Sequence, residues 1–117
     1  MKKANTPRSE SKSWVSCALR DDQRVVSRKG LVFALRDTTP VTLLHTPVLT
    51  YRHAPTYFDL SNSEFATAND LLRIRRSEIL RGDPTVAGFN VGANVGAVSG
   101  QTVFHYHIHL IPRRKGD

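Results

Sequence analysis

The stretch VFHYHIHLI, residues 103–111, carries the clearest pattern in the chain and decides how its fold is read. Apolar residues alternate there with histidines, which predicts a β-strand that begins at Val103 and is stopped by Pro112. Side chains alternate between the two faces of a strand, so His105, His107 and His109 are predicted to share one face. The apolar side chains between them would pack into a core from the other face.

The rest of the chain predicts four more strands and one long helix. The strands are expected over residues 24–27, 30–35, 48–51 and 88–94. Ser61 and Glu64 have the spacing of a capping box that begins a helix, and Gly82-Asp83-Pro84 ends it. Short connections and a single clear helix favour an antiparallel α+β sheet over a doubly wound parallel one.

Helical spacing also predicts which side of the helix is buried. The residues expected to face the core are Phe65, Ala68, Leu72 and Ile79. Three arginines, at positions 73, 75 and 76, are expected to lie largely on the solvated side.

Composition limits the class of protein. The chain has 117 residues, 39% hydrophobic and 23% charged, which is typical of one soluble globular domain. Residues 1–13 are polar and predict a flexible tail, and residues 14–117 form the expected domain. No apolar run approaches the ~20 residues that span a bilayer, so no membrane partner is expected.

The start of the chain and its single cysteine predict a cytoplasmic protein. The basic start leads into polar residues rather than an apolar signal segment. Cys17 is the only cysteine, which excludes an internal disulfide and agrees with a reducing compartment.

The formal net charge of +7 leaves two interpretations open. An anionic partner, either a phosphorylated ligand or nucleic acid, would explain it. A solvated basic surface without a specific partner would explain it equally well.

Three histidines in one strand suggest either a metal site or a nucleophile. His105 and His109 would lie ~13 Å apart along a strand, too far to bind one ion together with His107. A neighbouring pair could bind a metal with His45 or His53, although carboxylates are scarce in this part of the chain. A central imidazole could instead attack phosphorus, provided that an acceptor holds its other nitrogen. Donors from Gly100-Gln101-Thr102, just before the strand, could then stabilise a phosphate.

The motif His105-Tyr106-His107-Ile108-His109-Leu110-Ile111 resembles the signature of the histidine-triad (HIT) superfamily, in which three histidines alternate with apolar residues. With Gly100–Phe104 before it and Pro112-Arg113 after it, the chain is similar to the branch of Fhit-like and bacterial HIT hydrolases. The resemblance implies a five-stranded antiparallel sheet with one long and one short helix, and a homodimer. It also implies a hydrolase or nucleotidyl transferase that cleaves dinucleoside polyphosphates or nucleoside phosphoramidates at the α-phosphate.

The resemblance assigns catalytic roles to five residues. His107 matches the nucleophile that forms a covalent nucleotidyl-histidine intermediate. His105 and His109 match its supporting histidines, and His45 matches a fourth, upstream histidine. Gln101 matches a polar residue that contacts the phosphates or the leaving group.

The resemblance further implies how a nucleotide substrate is bound. Asp37 matches the residue that binds the ribose, and Leu35 matches one that lines the base pocket. The phosphate-end residues implied are Asn94, Gln101, Thr102 and His109. No cofactor is required and no metal ligand is assigned, with Mg²⁺ an optional companion of a polyphosphate substrate.

Two departures from the family pattern and three alternative functions stand beside this hypothesis. Leu43-Leu44 replaces the Pro-Gly usual before the upstream histidine, which changes the loop that carries His45. Trp14 and Cys17 occupy the positions of a Cys-x-x-Cys zinc motif, so that zinc site is predicted to be lost.

The alternatives are a non-catalytic nucleotide-binding or interaction module, a deadenylase acting on nucleic-acid ends, and a metal-binding module.

Overall fold

A computed structural model of the protein describes residues 23–101 and 105–117. The chain order is β1 (Val25–Lys29), β2 (Val32–Leu35), β3 (Thr46–Thr50), α1 (Asn62–Gly82), β4 (Val86–Gly92) and β5 (His107–Arg114). Short 3₁₀ helices lie at Tyr57–Asp59 and Ala97–Ser99. The predicted tail, Trp14, Cys17 and Thr102 all fall outside the described residues.

The five strands form one antiparallel sheet in the order β1-β2-β3-β5-β4, which confirms the predicted fold class. β5 lies between β3 and β4, so the histidine strand is internal. In the β3–β5 register, Leu49 pairs with His107 and Pro47 pairs with His109. This register places the histidines beside apolar side chains of β3.

The long helix begins as the sequence predicts. The Ser61 hydroxyl accepts a hydrogen bond from the Glu64 amide at 3.1 Å, and the Glu64 carboxylate accepts from the Ser61 amide at 2.8 Å. These two bonds satisfy amides that the first turn leaves without helical partners.

The helix packs on one face of the sheet. Ala68 and Leu71 join Val32, Ala34 and Val48 in a buried cluster. Leu72 is half-buried and packs against this cluster, as predicted, whereas the fully buried Leu71 beside it was not predicted. The opposite face of the sheet carries a second cluster of Phe33, Leu35 and Leu49.

The described part of β5 differs from the prediction at both ends. Its first residue is His107, and His105 lies before the strand rather than within it. Pro112 does not stop the strand, which continues to Arg114. β3 pairs with β5 only as far as Leu110, so at Pro112 one side of the strand has no partner that would need its missing N–H.

One of the three helix arginines is not on the solvated face. Arg75 is half-buried, and its Nε donates to the Thr46 hydroxyl at 3.2 Å. Arg73 and Arg76 are exposed, as predicted. Among the described helices, none has both the length and the apolar content needed to cross a membrane.

Candidate active site

β5 brings His107 and His109 to the same face of the sheet. Their ring centroids lie 4.8 Å apart with the planes nearly perpendicular. His105 is buried elsewhere, where its ring stacks on His53 and its Nε2 donates to the Thr50 carbonyl at 2.9 Å. The predicted shared face therefore holds two of the three imidazoles.

His105 still contacts the central histidine, through its backbone. The Nδ1 atom of His107 lies 3.0 Å from the His105 carbonyl oxygen. Because a carbonyl can only accept, Nδ1 of His107 carries a proton and donates it. In the neutral ring, the Nε2 atom of His107 then holds a free lone pair.

His45 determines which ring nitrogen of His109 carries the proton, and the result is the opposite of that in His107. The Val41 amide donates to Nδ1 of His45 at 3.1 Å, so a neutral His45 carries its proton on Nε2. That Nε2 lies 2.7 Å from Nδ1 of His109 and donates to it. A neutral His109 consequently carries its own proton on Nε2.

Burial keeps this pair of histidines neutral. Removal from water lowers the pKa of His109 to about 4, with a smaller contribution from the neighbouring His107. Burial is also the main cause that lowers the pKa of His45, and the nearby Asp37 carboxylate opposes it. At neutral pH the chain from Val41 through His45 to His109 therefore has a single pattern of protons.

A cavity of about 180 Å³ lies beside these histidines. The residues that line it are Arg24, Leu35, Arg36, Asp37, Thr38, Pro47, Leu49, His107 and His109. Its apolar wall and its histidines and carboxylate suit a ligand with one flat apolar part and one polar, charged part.

Asp37 is partly committed to its own loop. One carboxylate oxygen accepts from the Thr39 amide at 2.8 Å, and the other lies 3.6 Å from Nε2 of His45. The structure thus brings together Leu35, Asp37, His45, His107 and His109, as the sequence predicted.

Two other predicted residues have partners within the protein. The buried Gln101 side chain donates to the Pro55 carbonyl at 2.7 Å and accepts from the Gly96 amide at 2.8 Å. Asn94 is exposed and donates to the Gly100 carbonyl at 3.4 Å. Neither lines the cavity, so their roles toward a phosphate stay predictions, and Thr102 lies outside the described residues.

Distance alone would allow a metal ion at Asp37, His45 and His109, whose donor atoms lie within 4.8 Å of one another. The Val41 amide argues against it. A metal bound at Nε2 of His45 would force the ring proton onto Nδ1, directly against the donating amide. The chain of hydrogen bonds fits a proton between the two imidazoles better than a cation.

Sequence reasoning missed several cavity residues. Alternation along β3 could have shown that Pro47 and Leu49 share one face. The structure shows that this is the histidine face, because each of them pairs with a histidine of β5. The Val41 amide had no signal in the sequence, since backbone groups carry none.

Comparisons with known proteins identify the family of this chain. A family model, the HIT domain, matches residues 19–116. A HIT-like protein of 16.1 kDa from Mycoplasma pneumoniae is 38% identical over 81 residues, 69% of this chain and 56% of its own length. The AP-4-A phosphorylase of Mycobacterium tuberculosis is 32% identical over 94 residues, 80% of this chain and 48% of its own length.

A solved structure shows the same fold. The diadenosine triphosphate hydrolase of Plasmodium falciparum, in complex with cyclomarin A, superposes with a TM-score of 0.73 at 28% identity. The match covers 83% of this chain and 65% of the hydrolase. The chain spans about half the length of the two curated relatives named above. With a family model that covers most of its residues, this chain belongs to the HIT domain family.

Proposed function

We propose that the protein cleaves nucleotide conjugates at the α-phosphate through a covalent bond to His107. The observation that carries this proposal is the 3.0 Å contact of His107 Nδ1 with the His105 carbonyl oxygen, which fixes the proton on Nδ1 and leaves Nε2 as the nucleophile beside the cavity. An imidazole with its other nitrogen held by an acceptor is the form that nucleophilic catalysis needs.

The first chemical step is attack by Nε2 of His107 on the α-phosphorus. A phosphorus–nitrogen bond forms while the bond to the leaving group breaks and its electron pair departs with that group. A polyphosphate leaves as an anion without a proton, whereas an amine takes one from solvent. The imidazolium that forms is stabilised by its Nδ1–H bond to the His105 carbonyl.

The second step is hydrolysis of this intermediate. Water attacks the phosphorus, the phosphorus–nitrogen bond breaks, and its electron pair returns to Nε2 of His107. The water gives its proton to solvent, and a nucleoside monophosphate is released. Throughout, Nε2–H of His109 can donate to a phosphate oxygen, since its Nδ1 already accepts from His45.

The cavity supports a nucleoside as the retained part of the substrate. Leu35 and Leu49 provide apolar surface for a base, and the Asp37 carboxylate can accept from ribose hydroxyls. The names of two relatives, an AP-4-A phosphorylase and a diadenosine triphosphate hydrolase, favour dinucleoside polyphosphates as the first substrates to test. The covalent step as proposed needs no metal, and Mg²⁺ would accompany a polyphosphate.

The test compares His107→Asn with the unchanged protein on a dinucleoside polyphosphate and on an adenosine phosphoramidate. Asp70→Asn is the control, because Asp70 is exposed on α1 and does not line the cavity. We expect the first variant to lose nearly all activity and the second to keep most of it. Full activity of His107→Asn would contradict the proposal.

A second candidate, a deadenylase acting on nucleic-acid ends, has two supporting observations. Arg24 and Arg36 line the cavity, and the chain carries a net charge of +7. If nucleic acid is the partner, its affinity should fall steeply with salt, because phosphate contacts release counterions. Release of adenylate from adenylated DNA at a higher kcat/KM than from dinucleoside polyphosphates would favour this candidate.

A further inference from the structure

We propose that Arg114 and Thr42 are positioning residues that set the proton pattern of His45 and His109. They do so by holding the turn of residues 41–45, here named the histidine turn. This inference rests on the proposed function for its catalytic readout, but its spectroscopic readout needs no substrate.

Two successive residues of the histidine turn, Thr42 and Leu43, form hydrogen bonds with the end of β5. The Thr42 hydroxyl donates to the Pro112 carbonyl at 2.6 Å. One terminal nitrogen of the Arg114 side chain donates to the Leu43 carbonyl at 3.0 Å. The Thr42–Pro112 bond thereby joins residues 70 positions apart in the chain. The side chains of Val41 and Leu43 in the same turn are exposed.

Arg114 is itself held in place by the end of α1. Its side chain donates to one carboxylate oxygen of Asp83 at 2.9 and 3.1 Å. Asp83 is the C-cap residue of the helix, and its other oxygen accepts from the Thr85 amide. A guanidinium with a fixed carboxylate partner is a directional donor, so the Leu43 carbonyl is held relative to the helix.

The turn adopts a strained backbone that needs this support. Leu44 has a φ of 75°, in the left-handed region that non-glycine residues rarely occupy. Its side chain packs against the buried cluster of Ile79, Val86 and Leu110. Leu44 therefore anchors the turn from within, while Thr42 and Arg114 hold it from outside.

The proton pattern depends on the first residue of this turn. The Val41 amide reaches Nδ1 of His45 at 3.1 Å, and the His45 amide donates to the Thr42 carbonyl. If the turn relaxes, Nδ1 of His45 can take the proton instead, and His45 then no longer donates to His109. His109 would exchange between its two tautomers, and a phosphate would lose a fixed donor.

The test uses Arg114→Gln and Thr42→Val, with Arg73→Gln as control. Arg73 is an exposed helix arginine, so its variant makes the same charge change away from the turn. Long-range ¹H–¹⁵N NMR of the histidine rings reports the tautomers directly. In the unchanged protein and in the control, we expect Nε2 protonated and Nδ1 unprotonated for both His45 and His109.

In both test variants we expect averaged nitrogen shifts for His45 and His109, with those of His105 unchanged. With substrate we expect kcat to fall about 10-fold with little change in KM, the size expected for loss of one well-placed hydrogen bond. Thr42→Val keeps the side-chain shape, so it tests the inference even if Arg114→Gln fails to fold. Unchanged tautomers in a folded variant would overturn the inference. A protein that binds no nucleotide, with the tautomers shifted as expected, would overturn only the proposed function.

Discussion

His107 and His109 lie two residues apart on one strand, yet their surroundings give them opposite proton patterns. His107 donates through Nδ1 to a carbonyl, which leaves the lone pair on Nε2. His109 accepts through Nδ1 from His45, which makes its Nε2 a donor. Neighbouring imidazoles thus present one accepting and one donating nitrogen beside the same cavity.

Asp37 should affect substrate binding more than the chemical step. Asp37→Asn keeps an oxygen that can accept from the Thr39 amide, so the loop should keep its shape. Loss of the charged acceptor for ribose hydroxyls should raise KM about 10-fold, with kcat nearly unchanged. Steady-state kinetics with the exposed Asp70→Asn as control checks this.

A deoxyribose substrate gives the complementary result. The unchanged protein should bind a substrate without the ribose hydroxyls more weakly than the ribose substrate. Asp37→Asn should bind the two substrates with similar affinity. Equal losses in the two proteins would place the ribose elsewhere.

The buried histidines predict that acid destabilises the fold. The pKa of His109 is about 4 in the folded protein against an ordinary value of 6.5, so the unfolded chain binds its proton first. The contribution of His109 to the free energy of unfolding is therefore fully present above pH 6.5. It is lost as the pH drops toward 4, and the loss is up to about 3 kcal/mol. The lowered pKa values of His45 and His105 act in the same direction.

Urea unfolding at about pH 7.5 and at about pH 5 measures this effect in a range above the titration of most carboxyl groups. The free energy of unfolding should be lower at the acid pH, and His109→Gln should reduce the difference. Greater stability at the acid pH would refute the assignment of neutral buried histidines.

At the scale of elements, the N-terminus of α1 is the part that local sequence specifies best. Ser61→Ala removes the acceptor of the Glu64 amide and should cost about 1 kcal/mol of unfolding free energy. Ser63→Ala, at an exposed position in the first turn, is the control and should cost much less. Chemical denaturation of the two variants checks the difference, and equal losses would mean that the cap contributes nothing.

The elements also show where sequence patterns are sufficient and where they are not. The capping box and the alternation around His107 and His109 depend on local spacing, so both could be predicted. Pro112 was expected to stop β5, but whether a proline fits depends on which side of the strand has a partner. That partner is β3, more than 60 residues away in the chain, and local patterns carry no information about it.

The functional side chains follow the same division. Asp37, His45 and the histidines of β5 could be assigned from motif and spacing, and the structure brings them together. Gln101 was assigned to the phosphates; in the structure its carboxamide binds Pro55 and Gly96, contacts that were not predicted, and its role toward a phosphate stays a prediction. Such use of a side chain depends on how two loops meet, which no single segment encodes.

At the scale of the whole molecule, the two outer strands of the sheet formed by residues 23–101 and 105–117 differ in charge. β1 ends in Arg28-Lys29, a common protection against edge pairing, whereas β4 has the uncharged sequence VAGFNVG. The family resemblance implies a homodimer, and we propose that its two copies pair through β4 into one continuous sheet.

Val91 provides the test of that dimer. It is 55% exposed on β4, and Val91→Lys should shift the protein to a monomer by placing two charges across the new pairing. Val98→Lys, at a fully exposed position outside the strand, should leave the mass unchanged. Light scattering after size-exclusion chromatography distinguishes these outcomes, and a monomeric unchanged protein would contradict the proposal.

The covalent bond at His107 is the central claim, and trapping it tests the account most directly. The protein is mixed briefly with a dinucleoside polyphosphate, quenched under alkaline denaturing conditions and digested for mass spectrometry. The account predicts a nucleoside monophosphate group on the peptide that contains His107, absent in His107→Asn. Substrate turnover with no such adduct on rapid quenching, or an adduct on another histidine, would contradict it.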